Sequence, residues 1–211
     1  MLLPEKRDLV GRAVLTCYFT LAAALQVKKI IAADDQSWLH LAAGIAVLGF
    51  LMLVVGTTLT RLPPVRSAQG WSPRLVALLG AFGAVSVATV PQMEVSQQLR
   101  DAADVIVIGG FSLCIWCLWW LGRSFSVMPQ ARRLVTRGPY RFVRHPLYVC
   151  ETATLIGLIL RNPAWMTFAI VAVTLVFQYL RILNEETVLR ETFPEYDAYA
   201  RQTPMLVPAL R

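Results

Sequence analysis

WLHLAAGIAVLGFLMLVVGTTLT, residues 38–60, is a run of 23 positions without Asp, Glu, Lys or Arg. A bilayer's hydrocarbon core takes about 20 apolar residues per helix, so this stretch reads as a transmembrane helix. Outward from it, segments of the same kind recur at about 9–33, 73–91, 101–122, 146–161 and 163–183. Composition agrees: 56% of the residues are hydrophobic, 16% are charged, and the mean hydropathy is +0.56. Soluble domains carry roughly 25% charged residues. At 211 residues one domain is expected. The fold class expected is an all-α integral membrane protein with about six transmembrane helices.

The ends of these segments carry their own signals. MLLPEKRDLVGRAVLTCYFTL at the start has basic residues before an apolar stretch, as a secretory signal does. The stretch runs on into Lys28 and Lys29 with no small-residue cleavage site, so it reads as a retained first span, with the two lysines snorkelling at its end. Only Arg161-Asn162-Pro163 separates the last two segments. Asn-Pro is a turn signal and Pro suits the first turn of the following helix, which makes 146–183 an antiparallel helix hairpin. Trp38, Trp71, Trp120 and Trp165 stand near segment ends, as in an interfacial aromatic belt.

Six spans put sixteen of the 20 Lys and Arg on one side. Lys28, Lys29, Arg100 and Arg161 fall on the other. The positive-inside rule then places both termini in the cytoplasm. The chain divides at that level into 1–122, four N-terminal spans, and 123–211, a region with a basic loop, the hairpin and a polar tail. The net charge of +7 is a cytoplasmic membrane face rich in Arg. Nucleic-acid binding is not expected, because the aromatic residues sit in apolar spans rather than among the basic ones.

Cys17, Cys114, Cys117 and Cys150 all lie in apolar segments and read as packing residues. Cys114-x-x-Cys117 has no βαβ pattern around it, which argues against a redox motif. Two His, His40 and His145, are too few for a His-rich metal centre, and no metal is expected. There is no strand pattern followed by G-x-G-x-x-G, and no Ser-centred nucleophile elbow, so a soluble dinucleotide-type fold is excluded.

Polar chemistry concentrates in two stretches. In GPYRFVRHPLY, 138–148, Pro146 sits where a helix begins. The free N–H groups of that helix start lie beside Arg141, Arg144 and His145, a ready site for a carboxylate or phosphate. In RILNEETVLRETF, from Arg181, Arg181 and Glu185 are spaced i,i+4 on one helical face. Arg181 also stands at the edge of an apolar run, where a charge is costly. The hairpin brings both stretches to one membrane depth, so they are expected to share one cytosol-facing pocket. Glu151 reads as a cap on the positive end of its own helix, or else as a pocket-lining carboxylate. Gly44, Gly49, Gly109 and Gly110 read as close-packing positions.

The region from about 122 to 208 resembles the isoprenylcysteine carboxyl methyltransferase family, and more broadly the membrane methyltransferases that include phospholipid N-methyltransferases. The resemblance rests on RRLVTRGPYRFVRHPLY at 132–148, on Asn162-Pro163, on R-x-L-N-E-E-x-x-L-x-x-x-F-x-x-Y-x-x-Y from Arg181 to Tyr199, and on the trailing TPMLVP. It implies a cytoplasmic pocket for S-adenosylmethionine, with Arg133, Leu134, Val135, Tyr140, His145, Pro146, Leu147, Tyr148 and Glu185 as cofactor contacts. It implies Arg181 and Glu185 as catalytic residues, and Arg181 with Arg144 as substrate contacts. The implied reaction is methyl transfer to a lipophilic, membrane-borne acceptor, with a carboxylate such as that of an isoprenylcysteine favoured. The implied partners are that lipophilic or prenylated substrate and the membrane lipids, and the implied location is the cell membrane if the source is bacterial. Two positions depart from the family pattern. Cys150 stands where Gly is frequent, which is expected to narrow the pocket or alter lipid entry, and Arg132 replaces a substrate-side His.

The chemistry suits such a site. In-line displacement at a methyl needs a nucleophile held at ~3–3.5 Å with aligned orbitals, and Arg181 is suited to orient a carboxylate bidentately. Two other readings stand beside it. One is an NADPH-dependent reductase of the sterol reductase type, which shares R-H-P-x-Y but ends in a Trp-containing segment that this chain lacks. The other is a non-catalytic lipid-binding membrane protein.

Overall fold

The computed structural model describes residues 4–32 and 37–207. Residue 33, Pro208 and Arg211 lie outside the described residues, as do the side chains of Lys6 and Arg7. The chain is helical throughout: α1 (Pro4–Ile31), α2 (Trp38–Thr60), α3 (Ser72–Phe82, continued as a 3-10 stretch Gly83–Thr89), α4 (Gln97–Leu121), α5 (Pro146–Arg161), α6 (Trp165–Thr192) and α7 (Tyr196–Gln202). Two short antiparallel strands, β1 (Arg66–Ser67) and β2 (Gln130–Ala131), pair with Arg66 opposite Ala131.

Local chemistry sets the helix ends. Ser37 and Ser96 cap α2 and α4, each hydroxyl accepting from the backbone N–H three residues on at 3.3 Å. Pro146 occupies the first turn of α5, as its fixed φ favours.

Five helices are long and apolar enough to cross a membrane: Asp8–Ile31, Trp38–Thr60, Ser72–Thr89, Gln97–Ser124 and Trp165–Thr192. The sixth expected span is present as α5, but its 16 residues reach only about 24 Å at ~1.5 Å per residue, short of a ~30 Å core. The expected six spans are thus five of full length and one short helix. The outer surface of the bundle is apolar, with Leu21, Ile45, Met52, Leu113 and Phe168 exposed, and Trp38, Trp71 and Trp165 exposed near helix ends. This is a multi-pass membrane protein.

The hairpin turn forms as read, but its two arms splay. α5 packs chiefly on α4, α6 lies along α3, and α5 and α6 touch sparingly. Small residues allow both approaches. A Cβ on Gly80 would stand 3.1 Å from the Phe177 carbonyl, and one on Gly157 would stand 2.7 Å from Val107. Gly110 likewise presses on Thr154 and Gly44 on Ile30, whereas Gly109 faces open space. Because α3 with α6 and α4 with α5 interlock, the line between 1–122 and 123–211 runs through a shared interior.

The two ends of the bundle differ. At one end Asn162, fully buried, ties the hairpin turn to the segment after α3: its side-chain amide donates to the Pro91 carbonyl at 3.2 Å and its Oδ1 accepts from Met93 N–H at 3.1 Å. Nearby, buried Asp104 accepts from Arg161 at 2.6 Å, with His40 3.2 Å away. The other end is the basic one. There Leu62 N–H bonds the Arg123 carbonyl, Arg123 Nε donates to the Thr60 carbonyl at 2.7 Å, and Arg66 pairs with Glu191 at 3.0 Å.

Candidate active site

At the basic end, the splayed start of α5 and the last turns of α6 enclose an open-mouthed hollow. The segment 124–135 closes one side, and Tyr196 and Tyr199 of α7 close another.

Each wall has a local cause. Gly138 takes φ +62°, a left-handed conformation open to Gly, and lies flat against the Trp120 indole, where a Cβ would collide. That turn places Tyr140 in the wall, buried, with its hydroxyl unpartnered. Burial holds the Tyr140 phenol protonated, well above its ordinary range.

The start of α5 is held by Glu186 of α6. This buried carboxylate accepts from Arg144 (Nε at 2.8 Å, Nη2 at 3.3 Å), His145 (2.9 Å) and Tyr196 (2.7 Å), and pairs with Arg190 at 2.7 Å. Arg144 Nη1 donates to the Ala200 and Thr203 carbonyls at 2.9 and 2.7 Å. The backbone N–H groups of Arg144 and His145 bond the carbonyls of Pro204 and Met205. Tyr199 donates to the Tyr140 carbonyl at 2.6 Å. Burial raises the Tyr196 phenol, and the bond to anionic Glu186 raises it further. Burial also pushes the Tyr199 phenol up, to about 12.

Inside the hollow, Tyr148 donates to Glu185 Oε1 at 2.5 Å. The Arg181 guanidinium lies 5.0 Å from the centre of the Tyr148 ring and 3.4 Å from Glu185. Arg181 is buried; its Nε, the atom 3.4 Å from Glu185 Oε1, falls short of a hydrogen bond, and Nη2 reaches only the Ser126 carbonyl at 3.5 Å. A buried guanidinium with spare donors, beside an apolar wall, is a receptor for an anion or an oxygen acceptor. Ser124 Oγ is a further buried, unpartnered group in the wall.

Arg133, Leu134, Val135, Tyr140, His145, Leu147, Tyr148, Arg144, Arg181 and Glu185 all line this one hollow. Pro146 is buried at the start of α5 and is not among the lining residues. Three readings change with the geometry. Arg144 faces the hollow, but its donors are spent on Glu186 and the tail carbonyls, so it holds the wall. Glu151 does not cap α5; its Oε2 accepts from Gln178 of α6 at 2.8 Å, a cross-hairpin link. Cys150 points into the packed interior, where its sulfur lies 3.9 Å from that of Cys117; it does not line the hollow.

Glu186, Tyr196 and Tyr199 are wall residues that the sequence does not single out. Tyr196 and Tyr199 are spaced i,i+3, one helical face, which was the available signal. Among the described residues no group of three or more His, Cys, Asp and Glu is placed to hold a metal ion.

Residues 100–196 match the family model described as phospholipid methyltransferase. The nickel-cobalt-cadmium resistance protein NccN of Alcaligenes xylosoxydans xylosoxydans is 37% identical over 97 residues, 46% of this chain and 43% of that protein. The cobalt-zinc-cadmium resistance protein CzcN of Cupriavidus metallidurans is 31% identical over 142 residues, 66% of this chain and 52% of that protein. The chain spans about half the length of these curated relatives.

Proposed function

We propose that this chain, a member of the phospholipid methyltransferase family of membrane methyltransferases through residues 100–196, transfers a methyl group from S-adenosylmethionine to a lipophilic, membrane-borne acceptor bearing a carboxylate. The observation that carries the reading is Arg181: a buried guanidinium whose Nη2 reaches only the Ser126 carbonyl at 3.5 Å, near the Tyr148 ring and paired through Nε with Glu185 in one hollow.

The residues present suit the cofactor. Tyr140 and Ser124 offer unpartnered buried hydroxyls, Glu185 offers a carboxylate for a hydroxyl or cationic group, and Leu134, Val135 and Leu147 offer apolar surface. When bound, S-adenosylmethionine supplies an electrophilic methyl on a positively charged sulfur. The protein's own part is positional. Arg181 holds an acceptor oxygen through its spare N–H groups. Glu185, anchored by Tyr148, sets the charge beside it. The apolar wall keeps water away, so these interactions act in a low dielectric. A carboxylate acceptor needs no proton removed before it attacks. Leu121, Phe125, Leu147 and Leu189 give the hollow apolar surface for the acceptor's tail.

The basic end faces the cytoplasm in this reading, by the same excess of Lys and Arg. NccN and CzcN carry metal-resistance names; a shared role for this chain would run through methylation of a membrane component.

The test is incubation of the purified protein with radiolabelled S-adenosylmethionine and total membrane lipids, followed by identification of the labelled species. Label in an alkali-labile ester is the expected result. Folded protein that neither binds S-adenosylhomocysteine by calorimetry nor labels any lipid would overturn the reading.

A further inference from the structure

A second charged cluster stands in the wall of the hollow. Asp8 of α1 faces three arginines: Arg61 and Arg132 each reach its Oδ1 at 3.0 Å, and Arg12 reaches its Oδ2 at 3.4 Å. Arg12 also caps the end of α2, donating to the Leu59 and Arg61 carbonyls at 3.2 and 3.3 Å, as cations do at helix C-termini. Arg132 donates to Gln130 Oε1 at 2.7 Å as well and lines the hollow.

The charges do not balance. Among the described side chains, three guanidinium groups share one carboxylate. The Arg61 and Arg132 side chains are 3% and 0% exposed. Buried, uncompensated charge is costly, and buried donors without partners cost more. Among the described residues, four donor atoms here have none: Nε of Arg12, Nε of Arg61, and both Nε and Nη1 of Arg132. Burial, with Arg132 and Arg12 as like-charged neighbours, pulls Arg61 down to about 10.

We propose that Arg132, with Arg61 and Arg12 behind it, forms an oxyanion site opening onto the hollow, which takes a phosphate or carboxylate group distinct from the one held by Arg181. The anion supplies the missing negative charge and fills the orphaned donors. Asp8, Arg12 and Arg61 lie outside the family-matched stretch and Arg132 inside it, so the site joins the N-terminal helices to the wall of the hollow.

The experiment uses the full chain in phosphatidylcholine nanodiscs. Its probes are inorganic phosphate in solution and phosphatidic acid in the disc, compared with chloride at matched ionic strength. A saturating anion is expected to raise the Tm by about 5 °C, with Arg132→Gln weakening binding at least tenfold and the exposed Arg201→Gln leaving it unchanged. A response to inorganic phosphate assigns a soluble oxyanion, and a response to phosphatidic acid alone assigns a lipid headgroup. Absence of a rise with either probe overturns the site, as does unchanged binding in Arg132→Gln. Should Arg132→Gln fail to fold, Asp8→Asn decides. It is expected to be less stable in chloride and to gain more from phosphate than the wild type, and a loss that phosphate does not restore overturns the site.

Discussion

Arg144 and Glu186 meet through two parallel contacts, Nε to Oε1 at 2.8 Å and Nη2 to Oε2 at 3.3 Å. This fork ties the segment leading into α5 to the last turns of α6 across the splay of the hairpin. Removing one member strands the other in a low-dielectric interior. Glu186→Ala is expected to destabilise the fold by about 3 kcal/mol, read as a lowered Tm in detergent. Glu186→Gln should cost less, because the amide oxygen still accepts from Tyr196.

Arg181 and Glu185 differ from that pair in having capacity to spare. Arg181→Lys keeps the charge but loses the planar fork. It is expected to lower methyl transfer by about 10²-fold while leaving the Tm within a few degrees. Glu185→Gln should behave similarly. Loss of folding in both, with no separable effect on turnover, would count against their assignment to the hollow's chemistry.

Alkaline pH should loosen the closing helix. The Tyr196 and Tyr199 phenols are raised in the fold, by burial first, so the native state favours their protonated forms. The stability they confer is complete below the unfolded phenol value of about 10 and declines as pH rises through and beyond it. A Tm profile from pH 8 to 11 should fall at the upper end. Tyr196→Phe, which cannot ionise, should fall less steeply.

Gly138 offers a purely steric test. Its φ of +62° and its seat on Trp120 leave no room for a side chain. Gly138→Ala is expected to cost about 2 kcal/mol or more from left-handed strain and overpacking together, and to weaken ligand binding through displaced Tyr140. Gly109→Ala, in open space on α4, should be tolerated.

How far these features could be read from the chain depends on the range of the interaction involved. The apolar segments and the Asn162-Pro163 turn are local, and both were legible. The meeting of the His145 and Arg181 stretches followed from the turn alone. The preference of α5 for α4 rather than α6 was hidden, because it depends on Gly157 and Gly110 finding Val107 and Thr154, contacts that no helical periodicity reveals. Glu185 and Glu186 are neighbours in sequence, and a rotation of about 100° on the helix separates the one lining the hollow from the one bracing its wall. The partnership of Asp8 with Arg132, 124 residues away, has no sequence signature.

Asn162 gives the hairpin its asymmetry. With its amide locked to Pro91 and Met93, the turn is moored to the segment after α3, and the Glu151–Gln178 bond braces the two arms further along, which leaves the arginine-bearing ends as the less restrained part of the hairpin. The proposed methyl acceptor would then enter from the arginine-rich side, where the hollow has its open mouth.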